Sequence, residues 1–118
     1  MDRWVVYHNP VCGQSRGVLD LLLEHGIEFD VVEYVKHPLD RATLEHIAGL
    51  LSSPPADLVR KDKNFDALGL AAGDYVTRDA VIELLLAHPV LMQRPVVVCG
   101  RRAVIARPSN RVLELVDA

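Results

Sequence analysis

The chain has 118 residues, half of them hydrophobic and 25% charged, enough for one packed domain and too apolar for wholesale disorder. A net charge of −3 excludes nucleic-acid binding through overall positive charge, and no apolar run reaches the roughly 18 residues of a membrane span. The N-terminus lacks the basic flank, apolar stretch and small-residue cleavage site of a signal peptide. Two cysteines, Cys12 and Cys99, can make neither a disulfide-stapled scaffold nor a closed zinc site, and the five histidines show no ligand spacing around them. These features predict a soluble cytoplasmic protein with no metal and with neither nucleic acid nor membrane as a partner.

Trp4-Val5-Val6-Tyr7 reads as a short strand that stops at His8-Asn9-Pro10. A helix follows from Gly13, with Val18, Leu19, Leu22 and Leu23 on one face and Gly26 just past its end. Phe29–Tyr34 reads as a second strand, so the first 35 residues make a strand-helix-strand crossover with parallel strands. Asp40 suits the N-cap of a helix whose Leu44, Ile47, Ala48 and Leu51 share a buried face. Ser52-Ser53-Pro54-Pro55 breaks it and starts a short helix carrying Leu58, Val59 and Arg60. Residues 61–76 read as irregular, with a helical turn near Phe65–Leu68. Thr77 caps another helix that turns Val81, Ile82, Leu85 and Leu86 inward.

The β-branched run Val96-Val97-Val98 implies a strand buried on both faces, and Gly100-Arg101 turns it into a partner strand over Arg102–Ala106. Ser109 suits the cap of a closing helix with Val112, Leu113 and Val116 inward. The order β-α-β, helices, β-β-α predicts a single α/β domain over residues 1–118, with a small mixed four-stranded sheet. A helical insertion is expected at about 40–88.

Cys12 falls in the turn between the first strand and the first helix. Free N–H groups and the helix dipole stabilise an anion there, so the position favours the nucleophilic thiolate. Gly13 lets backbone approach closely, Ser15 offers a hydroxyl donor and Arg16 adds positive charge one turn on. Three residues separate Cys12 from Arg16, where a tyrosine-phosphatase loop has five. The alternative is a cysteine that merely fills a turn.

The run Tyr7-His8-Asn9-Pro10-Val11-Cys12-Gly13-Gln14-Ser15-Arg16 resembles the signature of the glutaredoxin-coupled arsenate reductase (ArsC) family. Leu58-Val59-Arg60-Lys61, His88-Pro89 with Gln93-Arg94-Pro95, and Arg107-Pro108-Ser109 resemble its later blocks, in order and across nearly the whole chain. The resemblance implies a thioredoxin-like three-layer fold, with Cys12 as nucleophile and Arg60, Arg94 and Arg107 holding arsenate. It implies no tightly bound cofactor, with glutathione as co-substrate and glutaredoxin as the protein that clears a mixed disulfide from Cys12. Guanidinium forks suit a tetrahedral oxyanion independently of any family. Taken singly, Arg60 and Arg94 read equally well as surface charge, and Arg107 as a partner of Glu114.

The resemblance also gives His8 a part in tuning the thiolate, against an alternative of a strand-end histidine satisfied by backbone; Asn9 is expected to orient the loop. A thioredoxin-like fold places a cis proline beside the active cysteine, which makes Arg94–Pro95 the expected cis peptide. Cys99 would then lie roughly 13 Å further along the strand at ~3.3 Å per residue, beyond disulfide reach, and is expected to be a buried core thiol. The resolving thiol therefore has to come from outside, and the enzyme is expected to act as a monomer. Two rivals remain open: a thiol oxidoreductase of the same fold with another substrate, and a non-enzymatic regulator like the Spx group. Ser15 stands where that group carries its second redox cysteine, so an intramolecular switch at this turn is excluded.

Overall fold

The computed structural model describes residues 3–116. In chain order the regular elements are β1 (Trp4–His8), α1 (Gly13–Glu24), β2 (Asp30–Glu33), α2 (Arg41–Leu50), α3 (Lys63–Ala67), α4 (Arg78–Ala87), β3 (Val96–Cys99), β4 (Arg102–Ile105) and α5 (Leu113–Val116). The chain forms two compact units, one of residues 1–37 and 94–118, the other of Pro38–Gln93.

The first unit is built on a four-stranded sheet of order β2-β1-β3-β4. β1 and β2 are parallel, with Val6 opposite Val31, and α1 is their crossover. β3 runs antiparallel to β1 and pairs with β4 through a turn in which Gly100 takes φ 60°, a left-handed conformation suited to glycine. The fold class is thus α/β with a small mixed sheet, as expected. One face of the sheet carries the core. Val6, Val97 and Val104 meet Val18 and Leu22 of α1 and Val112 and Leu115 near the C-terminal end, with Trp4, Leu19, Ile27 and Phe29 at the edges. Val96, Val97 and Val98 are all buried, so the β-branched run is indeed enclosed on both faces.

Several local expectations shift. The closing segment is a 3-10 turn over Ser109–Val112 running into α5, and Pro108, not Ser109, precedes it. Ser109 caps nothing; its polar groups turn to Gln14 of α1. Leu115 of α5 is buried in the core and Leu113 packs against it as expected, while Val116 is only half-buried, because the tight first turn rotates the apolar stripe.

The second unit has only helical regular elements. Asp40 caps α2 by accepting from Thr43 N, Asp62 caps α3 through Asn64 N and Phe65 N, and Thr77 caps α4 through Ala80 N. α2 packs on α4, burying Leu44, Ile47, Val81, Ile82 and Leu85. Leu84 is buried where Leu86 was expected, and Leu86 is half-buried. The short turn after Pro54 is 3-10 and ends at Leu58, so Val59 and Arg60 lie beyond it. Val59 bridges Met92, the Arg60 N–H bonds Leu91 O at 2.7 Å and the Gln93 N–H bonds Leu58 O at 2.7 Å.

Leu22 sits fully buried at the centre of the first unit's core. Leu22→Ala is expected to cost about 2–5 kcal/mol, read as a lowered urea midpoint with an unchanged slope. A loss below about 1 kcal/mol would show that α1 is not anchored by this core.

Candidate active site

The site grows from the end of β1. Pairing with β2 and β3 carries β1 through His8, after which Pro10 ends the ladder and the chain folds back so that the Cys12 N–H bonds Asn9 O at 3.0 Å. Cys12 becomes the N-cap of α1, with φ −96° and ψ 122°, and its carbonyl accepts the first helical bond from Arg16 N at 3.1 Å. The turn holds itself in shape. Asn9 Oδ1 accepts from Val11 N at 3.1 Å, the Asn9 N–H donates to Ser15 Oγ at 3.3 Å, and Arg16 Nη1 donates to Pro10 O at 2.9 Å. Val11 is 80% exposed, whereas Cys12 is only 9% exposed, so the thiol faces inward beneath an exposed loop.

Arg107 completes the centre from the end of β4. Its Nη1 donates to Cys12 Sγ at 3.3 Å and to the carbonyl oxygen of Arg94 at 2.9 Å. The expected alternative for this residue fails, because Glu114 pairs with Arg111 instead. Arg94–Pro95 is cis, as expected; Arg107–Pro108 is cis as well, which the sequence reading did not anticipate. Pro95 is buried and its carbonyl ties β4 through Ala106 N at 2.9 Å. The Arg94 side chain also reaches Cys12.

Burial of Cys12 pushes its thiol upward, but the backbone N–H of Ser15, the Arg107 and Arg94 side chains and the backbone N–H of Gln14 outweigh it. Together they hold the thiol well below the ordinary range, at about 6. The sulfur is therefore a thiolate at neutral pH. Ser15 acts on it through its backbone N–H, while its fully buried hydroxyl accepts from Asn9.

Two neighbours differ from expectation. Arg16, expected to add charge beside the thiol, is exposed, secures the loop carbonyl of Pro10 and bears on His8. His8 is 6% exposed, and its Nδ1 has no hydrogen-bond partner, so the alternative of a histidine satisfied by backbone does not describe that nitrogen. Burial lowers its pKa, Glu33 opposes this and Arg16 reinforces it; the imidazole is neutral near pH 7.

Tyr34 is a site residue that sequence reasoning missed. It is 1% exposed, and its phenol bonds the side chains of Asn9 and Arg94. Burial raises its pKa, so it is a neutral anchor for that arginine. An aromatic ending an alternating strand carries no signal of this in the sequence.

Arg60 belongs to the second unit, where Nε pairs with Asp62 Oδ2 at 3.0 Å and Nη1 donates to Gln93 Oε1 at 3.2 Å. Cys99 is not a buried core thiol. It is half-buried, pairs with Trp4 at the start of β1 and lines a surface cleft with Trp4, Ile27 and Phe29. Among the described residues no cluster of His, Cys, Asp and Glu could hold a metal, and no helix is long and apolar enough to cross a membrane.

The centre thus joins a thiolate at a helix N-terminus, two guanidiniums and the cis Arg94–Pro95 peptide. The ArsC family model matches residues 7–115. The chain belongs to the ArsC family. It is 35% identical over 116 residues to an arsenate reductase of Escherichia coli K12, covering 98% of this chain and 82% of that one. It is 41% identical over 113 residues to the uncharacterized protein YfgD of the same organism, covering 94% of each. Among solved structures, an arsenate reductase from Vibrio cholerae matches with a TM-score of 0.84 at 33% identity, over 96% of this chain and 97% of that one. The fold is accordingly the thioredoxin-like fold of this family.

Two outcomes follow for the ArsC-family thiol. Alkylation of Cys12 by iodoacetamide is expected to be half-maximal near pH 6 and to move upward in Arg107→Ala. Because the folded state holds this thiol below its unfolded value, the unfolded chain binds more protons between the two. The stability difference between wild type and Cys12→Ser should then grow as pH rises from 6 to 9. A flat difference in urea denaturation across that window would remove the thiolate from the account.

Proposed function

We propose that this ArsC-family protein is an arsenate reductase that works through a Cys12–arsenate adduct, with glutathione and glutaredoxin as reductants. The observation that carries the reading is the Arg107 guanidinium 3.3 Å from Cys12 Sγ, with the Arg94 side chain also on that sulfur. Arsenate is mostly a dianion at neutral pH, and a thiolate alone would repel it. Two guanidiniums on the sulfur outnumber its charge and leave a net attraction for a tetrahedral oxyanion. Relatives that are named arsenate reductases, at about a third identity over nearly the whole chain, support the choice of oxyanion.

The chemistry balances without a bound cofactor. The Cys12 thiolate attacks arsenic(V), and one arsenate oxygen leaves as water after protonation. A glutathione thiolate then attacks the Cys12 sulfur. The S–As electron pair passes to arsenic, which leaves as arsenite, and Cys12 and glutathione are left joined as a mixed disulfide. Glutaredoxin takes the glutathione and frees the thiol. His8, Asn9, Gly13, Ser15, Arg16 and Pro95 shape this centre. The enzyme acts as a monomer.

A second reading, a thiol oxidoreductase using the same Cys12 on another substrate, is favoured by the 41% identity to YfgD, whose name assigns no substrate. The deciding assay follows NADPH consumption with glutathione, glutathione reductase and glutaredoxin. Consumption should require arsenate, glutaredoxin and Cys12 together. Cys12→Ser should abolish it, Cys99→Ser should leave it near wild type, and Arg94→Ala or Arg107→Ala should lower it by about 10²–10³ while the fold is kept. No arsenate dependence in a protein whose Cys12 still alkylates near neutral pH would replace the first reading by the second.

A further inference from the structure

Arg107 reaches Cys12 from a different part of the chain, and something has to hold the two segments together. Two residues after Cys12 stands Gln14, in the first turn of α1; two residues after Arg107 stands Ser109. These two are joined through both the backbone and the side chain of Ser109. The Ser109 N–H donates to Gln14 Oε1 at 2.7 Å, and the single Ser109 Oγ proton is shared between Gln14 O at 2.7 Å and Gln14 Oε1 at 2.8 Å. The other bonds of Arg107 run elsewhere: its N–H to Ile105 O at 3.0 Å, and Nη1 to Arg94 O at 2.9 Å. Those fix Arg107 to β4 and to the segment before β3, not to α1. Val112 and Leu115 do pack on α1, but against Val18 and Leu22, further down the helix from the thiol.

One turn along, α1 leaves room for this junction. A Cβ on Gly17 would lie 2.6 Å from Ser109 Oγ and 3.1 Å from Ser109 Cβ. Rotating the hydroxyl away would relieve the first contact, break the bonds to Gln14 and leave the second. The Ser109 backbone would then have to give by a few tenths of an ångström.

We propose that Gln14 and Ser109, with the space left by Gly17, form a clamp that positions the Arg107 guanidinium on Cys12 Sγ. Gln14, Gly17 and Ser109 are positioning residues in this account; they act on the reacting sulfur only through Arg107. The proposal rests on the assignment of Cys12 and Arg107 to the active centre. It deepens that assignment by naming what makes the contact.

The test reads the sulfur directly and needs no arsenate. In a Cys99→Ser background, the pH dependence of Cys12 alkylation is measured for the wild-type sequence, Gly17→Ala, Ser109→Ala and the double variant Gly17→Ala/Ser109→Gly. Gly17→Ala is expected to move the midpoint upward by about one pH unit, the size expected when one charge-assisted bond to a thiolate is lengthened. Ser109→Ala should move it less, because the Ser109 N–H still bonds Gln14. Ser109→Gly in the double variant removes both atoms that the new methyl meets and should bring the midpoint back to that of Ser109→Ala. In an Arg107→Ala background, Gly17→Ala should add no further shift, since its effect passes through that side chain.

Alanine for glycine favours a helix while the clash with Ser109 opposes it, so a role confined to stability would change thermal stability and leave the midpoint unmoved. Folded Gly17→Ala and Ser109→Ala variants with the wild-type midpoint would overturn the clamp. So would a full Gly17→Ala shift that persists without Arg107. Should Gly17→Ala fail to fold, Ser109→Ala alone decides by the same criterion. A wild-type midpoint in the ordinary thiol range would instead defeat the assignment of Cys12, which separates the two failures.

Discussion

A sulfur anion enclosed by protein is costly unless charge and hydrogen bonds replace the water it has lost. The first unit is arranged around that requirement. The helix N-terminus supplies N–H groups from Gln14 and Ser15, and the two ends of the β3–β4 hairpin supply Arg94 and Arg107. No single segment meets the need. β1 has to stop where it does, α1 has to begin at Cys12, and the antiparallel pairing of β3 and β4 has to bring residues 94 and 107 to one side of the sheet.

The two guanidiniums would repel each other without an anion between them. The structure moderates this with the Arg94 carbonyl, which accepts from Arg107, and with the neutral, buried Tyr34 phenol on the Arg94 side chain. The result still carries more positive than negative charge. Such an excess attracts an anion more strongly than a neutral molecule.

The second cysteine lies at the other end of the sheet. β1 runs from Trp4, opposite Cys99, to His8, a span of roughly 13 Å at ~3.3 Å per residue, and Cys12 lies beyond it. A disulfide needs Cα atoms within about 7 Å, so Cys99 cannot resolve a bond on Cys12 without unpairing the sheet. The half-buried position of Cys99 changes its environment from the one expected, and leaves this distance argument standing.

Local grammar was legible in the sequence because it depends on near neighbours. Asp40 and Thr77 read as helix caps and are caps; the Val96–Val98 run read as a two-sided strand and is one; Cys12 at a strand-to-helix turn read as an activated thiol, and the helix N–H groups do hold it as a thiolate. Ser109 shows the limit. The same residue type that caps helices read as a cap here, yet its groups go to Gln14, 95 positions away. Tyr34 on Arg94, Arg16 turned to the loop and the unpartnered Nδ1 of His8 are of the same kind. By itself the sequence determined the order of the strands and main helices, the caps at Asp40 and Thr77, and the place of Cys12 at a helix N-terminus, since each follows from backbone hydrogen bonding and periodicity within a few residues. Which side chains share the sulfur, and how far Cys99 is exposed, was decided only by tertiary structure, because hydrogen bonds and charges act through space and packing sets what surrounds each group.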